Sequence, residues 1–260
     1  EKYLGSYWSD LGLGREEFMD VAKHHTAHGD MYSMPVLALK LSGGSNGVSE
    51  LHGEVSREMW KFLWDDRDVK DVPIRHVTNG VHTRNWMARR MNNLLEAYLG
   101  KNWYDNLDDH ELMNRIDEIP DFELWNTHLH LKRKMAFYLT ERVRDRWTRG
   151  GFHPVQVVAS GVLINPYALT IGFARRFATY KRASLILSDV ERLLELINRP
   201  NHPVQIIFAG KAHPADDPGK KLIQQVYRTV KKAETGGRIV FIEDYDMNLA
   251  RYLVQGVDVW

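Results

Sequence analysis

Eight consecutive residues carry the densest chemistry in the chain: Arg175-Arg176-Phe177-Ala178-Thr179-Tyr180-Lys181-Arg182. Arginine presents a planar fork and lysine a point charge, and both suit phosphate oxygens. A short β-rich run, Ala168–Ala174, leads into this stretch and an amphipathic run follows it. The expected local structure is therefore a strand-to-helix turn, where helix amides and the helix dipole favour an anion. The chemistry would be the holding of phosphate; the plainer alternative is a solvated basic helix start. Gly210-Lys211-Ala212 offers another cation behind a glycine that allows close backbone approach. Glu243-Asp244-Tyr245-Asp246 is acidic with one aromatic. No Walker loop and no G-x-G-x-x-G occurs, so neither nucleotide motif explains these residues. His24 and His28 have helical spacing, but no H-E-x-x-H is present and no metal site is expected.

The positioning elements follow from the apolar pattern. Ala168–Ala174, Val204–Ala209 and Arg238–Ile242 read as buried strands, and Val257–Trp260 begins a fourth. Amphipathic stretches Tyr180–Asn198, Gly219–Ala233 and Asn248–Gln255 alternate with them. Such alternation means βα units on a parallel sheet, with ligands outside the carboxyl ends of the strands. Trp86–Leu99 and Leu124–Trp147 have long helical patterns, the second ended by Gly150-Gly151. Further upstream, Arg15–Ala27 and Ser49–Trp64 have helical spacing, and Met34–Leu41 is compatible with helix or strand. Gly43–Gly47 reads as a turn cluster and Asp65–Pro73 as a loop. The six tryptophans from Trp60 to Trp147 are expected to be core anchors.

Composition sets limits on function. The 260 residues hold 35 Lys plus Arg and 34 Asp plus Glu, a net charge of +1. That balance argues against a general nucleic-acid or membrane-surface binder. No apolar stretch approaches the roughly 20 residues of a membrane span. The charge is uneven, however: residues 174–232 hold 12 basic and 5 acidic residues, an excess of +7. Cysteine is absent, which excludes disulfides and thiolate chemistry and fits a reducing compartment. The chain stops inside the apolar run Val257–Trp260, so an internal fragment of a longer protein is expected.

At the basic turn the sequence resembles the phosphate-binding segment of the α-glucan phosphorylases, the glycogen, starch and maltodextrin phosphorylase family. Four further segments are similar, in the family's order. They are Asn46-Gly47-Val48-Ser49-Glu50-Leu51-His52, Thr78-Asn79-Gly80-Val81-His82-Thr83-Arg84-Asn85-Trp86, Gly210-Lys211-Ala212 and Glu243-Asp244-Tyr245. The resemblance implies an α/β fold of the GT-B type, two Rossmann-like domains with the site between them. Residues 1–84 would end the N-terminal domain. Residues 85–260 would be an incomplete C-terminal one, with a helical lead-in over 85–165 and βα units over 166–260. The implied reaction is phosphorolysis of an α-1,4-glucan by inorganic phosphate, giving glucose 1-phosphate with retention. The implied cofactor is pyridoxal 5′-phosphate, used through its phosphate, in a cytoplasmic enzyme that is often a homodimer.

By matching positions, the resemblance implies that Arg176 holds the substrate phosphate and that Lys181 lies between it and the cofactor phosphate. Arg175 would approach the cofactor phosphate. Tyr180 would contact the sugar 2-hydroxyl and Asn79 the 6-hydroxyl. Trp86 and Tyr245 would wall the pyridoxal pocket, and Lys211 matches a cleft lysine. The lysine that forms the Schiff base falls beyond Trp260 in the family pattern, so the chain alone is expected to be inactive. Asp246 departs from the pattern, standing where well-studied members carry a cation near the cofactor; an acid there would repel phosphate. Ala178 and His82-Thr83 also depart from it, which points to a divergent, prokaryotic branch. The alternatives are a nucleotide-sugar-dependent retaining GT-B glycosyltransferase and a phosphate- or sugar-binding module without catalysis. The glycosyltransferase would share the Arg176-x-x-x-x-Lys181 spacing but not the Thr78–Trp86 segment.

Overall fold

The structure is a computed structural model and describes residues 7–27, 29–149, 164–230 and 235–260. The chain divides into two compact units, Glu1–Val81 and His82–Trp260.

The first unit begins with helices α1 (Tyr7–Asp10) and α2 (Arg15–Asp20). An antiparallel pair follows, β1 (Lys23–Thr26) and β2 (Gly29–Tyr32). The helical spacing of Arg15–Ala27 is thus used only to Asp20. Beyond it, cross-strand contacts of Asp30 with Lys23 and His25 hold a hairpin instead. His24 stacks on Phe62, ring centroids 4.7 Å apart, and His28 lies outside the described residues. Among the described residues no three His, Cys, Asp or Glu side chains are grouped to hold a metal ion.

Met34–Leu41 is helix α3, capped by the Ser33 hydroxyl. Part of the expected Gly43–Gly47 turn is a strand, β3 (Ser45–Gly47). It pairs in parallel with β4 (Ile74–His76) across helix α4 (Glu50–Met59). Sheet pairing overrides glycine's local preference here. Ser49 caps α4 by accepting from the His52 amide at 3.1 Å.

The second unit opens with α5 (Thr83–Trp86) and α6 (Arg89–Leu99), split where Met87 turns extended. Short helix α7 (His110–Asn114) and the 29-residue α8 (Asp121–Arg149) follow. Leu95, Leu99, Trp103 and Ile119 form a small core between them. Trp103 is buried as expected of a core anchor, whereas Trp125 is 48% exposed. Gly150-Gly151 lies outside the described residues.

Three parallel strands then form a sheet in the order β5-β6-β7: Leu169–Ala174, Val204–Ala209 and Ile239–Ile242. Their runs are mainly apolar because both faces are covered; the buried exceptions, Thr170 and Gln205, hydrogen-bond to each other at 2.8 Å. Ile206, Phe208 and Ile239 face a core with Leu193 and Ile197 of α9 (Val190–Ile197) and Val226 of α10 (Asp217–Val230). Ile207, Ala209, Val240 and Ile242 face the opposite way. They pack on Met135 and Leu139 of α8 and on Leu249 and Leu253 of α11 (Met247–Gly256). The Tyr180–Asn198 stretch is not one helix. Two 3-10 turns, Thr179–Lys181 and Leu185–Leu187, precede α9, because Arg182 takes a left-handed conformation (φ 55°) and Asp189 caps a fresh start.

After α11 the chain returns to the far side of β5. Val259 makes a parallel bridge to Ile171, and the Gly172 amide donates to the Val259 carbonyl at 2.8 Å. A partly buried cluster secures this return. Asp258 accepts from the Lys132 ammonium, from His128 Nε2 at 2.8 Å and from the Thr170 amide at 2.7 Å. Among the described residues no helix is long and apolar enough to cross a membrane.

Candidate functional site

The strand order reverses at β5. Connections from β5 to β6 and from β6 to β7 run through α9 and α10 on one face. The connection from β7 to Val259 runs through α11 on the other and lands beside β5. In a doubly wound sheet that switch point opens a crevice beyond the carboxyl ends of the strands, where ligands bind. Beyond the end of β5 lies the basic turn, Arg175–Arg182.

The turn is tied to its neighbour strand. The Arg175 amide donates to the Ala209 carbonyl at 3.3 Å and the Phe177 amide to the Lys211 carbonyl at 2.9 Å. The extensions of β5 and β6 therefore stay zipped past the sheet, which brings Arg175, Arg176 and Lys211 onto adjacent segments. Phe177 is fully buried and packs edge-on against Phe173 at 5.8 Å, with Phe241 at 5.7 Å. It anchors the turn to the core while the charged residues around it remain outside. Gly210 has φ 152°, and a Cβ there would stand 2.0 Å from the Arg175 carbonyl oxygen and 2.9 Å from the Phe177 ring. The close pairing thus needs glycine at this position.

Arg175, Arg176, Arg182 and Lys211 are exposed, Lys181 is half-buried and Tyr180 is 69% exposed. The Lys181 ammonium sits 4.8 Å from the centre of the Tyr180 ring, a cation–π contact that fixes its direction. Among the described residues no carboxylate pairs with any of these five cations. Elsewhere in the unit basic side chains do find acids: Lys220 meets Asp217, Arg142 meets Asp246 and Lys132 meets Asp258. Arg175, Arg176 and Lys211 lie on adjacent segments past the strand ends, while Lys181 and Arg182, later in the same turn, line a groove with Ile171, Phe173 and Val259. Cations without carboxylate partners along one turn give a positive field suited to anions.

The end of β7 is built differently. Tyr245 is half-buried against the α8–α11 core, and burial, followed by the Asp246 charge, pushes its hydroxyl pKa up. Asp246 caps α11, accepting from the Leu249 amide at 2.7 Å, and pairs with Arg142 of α8 at 2.9 Å. Burial opposes its ionisation, but the Leu249 amide and Arg142 outweigh it and hold the carboxyl below its ordinary value. The acid that breaks the expected pattern is therefore neutralised locally. Sequence reading missed Arg142; it also donates to the Asp244 carbonyl across 102 positions, a separation with no local signal. A cavity of about 480 Å³ lies alongside, lined by Tyr138, Arg142, Ile242 and Asp244.

The remaining candidates are spread out. Trp86 is half-buried, and its carbonyl accepts from Gln255 at 2.9 Å, near the carboxyl end of α11. Tyr245 precedes the opposite end of that 10-residue helix, about 15 Å away along its axis. The structure does not gather the backbones of these two residues at one point. Asn79 belongs to the first unit. Its amide donates to the Val48 carbonyl at 3.0 Å, so the segments Asn46–His52 and Thr78–Asn79 lie side by side there.

A sequence profile of the family described as "Phosphorylase: Carbohydrate phosphorylase" matches residues 10–260. The chain belongs to the carbohydrate phosphorylase family. It is 42% identical over 249 residues to a glycogen phosphorylase of Aquifex aeolicus, a match covering 96% of this chain and 36% of that protein. It is 40% identical over 261 residues to a maltodextrin phosphorylase of Thermococcus litoralis, covering 100% of this chain and 30% of that protein. A glycogen phosphorylase of Mycobacterium tuberculosis is 39% identical over 250 residues, covering 96% and 28%. The chain spans about a third of the length of these carbohydrate phosphorylases. The family match runs through Thr78–Trp86 as well as the basic turn, so the nucleotide-sugar-dependent alternative is not better supported.

Proposed function

We propose that the chain carries the phosphate-handling part of an α-glucan phosphorylase. That enzyme transfers a terminal glucosyl unit of an α-1,4-glucan to inorganic phosphate and releases glucose 1-phosphate with retained configuration. The observation that carries this reading is the turn after β5 and its paired neighbour after β6, which carry five cations without a carboxylate partner among the described residues. The division into two units supports a GT-B arrangement, with residues 1–84 in the first Rossmann-like domain and 85–260 in the second.

In this reading the bond from the sugar C1 to the departing glycosidic oxygen breaks and one from C1 to a phosphate oxygen forms. The departing oxygen takes its proton from the substrate phosphate. Arg176 binds that phosphate with its planar fork. Lys181, directed by Tyr180, stands between it and a second phosphate, with Arg175 alongside. Two like charges about 4 Å apart repel by about 4 kcal/mol at a surface-like dielectric, so paired phosphates need interposed cations. The same cations stabilise charge that develops in the transition state. Tyr180 faces the sugar 2-hydroxyl, Asn79 the 6-hydroxyl, and Lys211 adds charge at the cleft.

The second phosphate is that of pyridoxal 5′-phosphate. The donor set at the turn fits a phosphate group. The aromatic wall is represented by half-buried Tyr245, with Trp86 as its proposed partner. When bound, the cofactor supplies a phosphate that exchanges a proton with the substrate phosphate. Arg142, by neutralising Asp246, keeps the nearby acid from repelling it.

The test uses the protein expressed whole from its gene, assayed for phosphate-dependent release of glucose 1-phosphate from an α-1,4-glucan. Lys181→Ala is expected to abolish release with an unchanged unfolding midpoint. Normal turnover in that variant overturns the assignment.

A further inference from the structure

The second unit contains a basic cleft that shares no residue with the turn. It measures about 570 Å³ and lies between the start of α6, the outer side of α8 and α11. Arg89 and Arg90 line it from α6, His130 and Lys134 from α8, and Arg251 from α11. No carboxylate lines it. Among the described residues, none of the four arginine and lysine side chains pairs with a carboxylate elsewhere. All four are exposed, so water and salt screen their mutual repulsion, and an anion entering the cleft would neutralise it. Arg89 and Arg90 also occupy the first turn of α6, which holds no acidic residue, so the helix dipole opposes them.

The walls are ordered. Tyr252 stacks on Tyr138 with centroids 3.9 Å apart and planes at 9°. The Lys134 ammonium lies 5.5 Å from the Tyr252 ring centre. Arg251 is held by a donation to Asn85 Oδ1 at 3.2 Å, which leaves the rest of its fork for a ligand. Gln255 is fixed through its amide nitrogen on the Trp86 carbonyl, so its oxygen stays available. With Asn93 and Asn248 it gives the cleft neutral donors and acceptors beside the charges. The volume falls in the usual range for small-molecule sites, larger than a single phosphate needs.

We infer that this cleft is a second anion site, which takes a small molecule bearing a di- or triphosphate group. Arg89, Arg90, Lys134 and Arg251 neutralise the phosphates. The amides of Asn93, Asn248 and Gln255 meet the polar body. The inference is independent of the assignment of the basic turn. It adds to the chain a binding function separate from phosphorolysis.

The experiment is titration calorimetry of the full chain with inorganic tripolyphosphate, in an Arg176→Ala/Lys181→Ala background that disables the turn. Binding is expected to persist in that background. Adding Arg90→Ser and Arg251→Ser should weaken it by about tenfold or more, with the urea midpoint preserved, since both residues are exposed. Lys134→Gln alone, which tests the cleft with a single exposed change, should weaken it by about threefold. Affinity should also fall as salt rises. Affinity unchanged by the cleft substitutions overturns the inference. So does tripolyphosphate binding no tighter than sulfate at equal ionic strength. Loss of all binding in the turn background alone also overturns it, and leaves the reading of the turn intact.

Discussion

Gly210→Ala tests how the basic turn is held. The backbone at position 210 has φ 152°, outside the range that suits an L-residue, and the strain of holding alanine there is about 1–3 kcal/mol. The new Cβ would stand 2.0 Å from the Arg175 carbonyl oxygen, against an ordinary contact of 3.4 Å or more, so a gap of 3.4 − 2.0 = 1.4 Å must open. The obstacle is backbone and cannot rotate away. Opening it pulls apart the Arg175–Ala209 and Phe177–Lys211 hydrogen bonds, worth about 1–3 kcal/mol together. The expected loss is about 2–6 kcal/mol, a large share of a typical domain's stability. A displaced turn would also weaken phosphate binding, because the cations it carries would move with it. The assay is urea unfolding with phosphate titration of the same samples. Gly236→Ala is the control: its φ is 55° and nothing lies within 4 Å, so it should cost only about 1 kcal/mol and leave phosphate binding alone. Equal midpoints and equal phosphate affinities for the two variants would refute the account of the turn.

Two further expectations concern the anchors. Burial pushes the Asp258 carboxyl up, but Lys132, the Thr170 amide and His128 outweigh it and hold its pKa below its ordinary value. A carboxyl depressed in the folded state contributes its full stability above the unfolded value and loses it as pH falls through the folded one. The melting temperature of the chain should therefore drop as pH falls below about 4, more steeply than in Asp258→Asn; parallel profiles would count against the cluster. Phe177→Ala removes a fully buried ring beneath the basic turn. It should cost about 3–5 kcal/mol in urea unfolding and weaken phosphate binding; a stability loss with unchanged phosphate affinity would show that the ring does not position the turn.

The local pattern was enough for elements whose burial is one- or two-sided along their whole length. β5, β6 and β7 read directly because their runs are mainly apolar, broken only by Thr170 and Gln205, and α8 because its repeat persists over Leu124–Trp147. It failed where a contact distant in sequence decides. Ser45–Gly47 is a strand because β4 pairs with it, and Lys23–Thr26 leaves the helix because Asp30 lies across a hairpin. The same division holds for the site. The cations of the turn were legible because four of them fall within eight residues, and the phosphate proposed for them rests on the local preference of strand-to-helix turns for anions. The neutral environment of Asp246 and the basic cleft were not. Arg142 and Asp246 meet only because α8 packs on α11, and the cleft gathers residues from three separate helices.

By itself the sequence determined residue type and local period, and hence the βα units, the basic turn and the family resemblance. Tertiary structure alone decided that Val259 returns beside β5, which turns a row of strands into a sheet with a switch point. It also decided which charges keep partners and which do not. The physical reason is that periodicity and propensity act over a few residues, whereas charge compensation and strand order depend on groups such as Lys132 and Asp258, 126 positions apart.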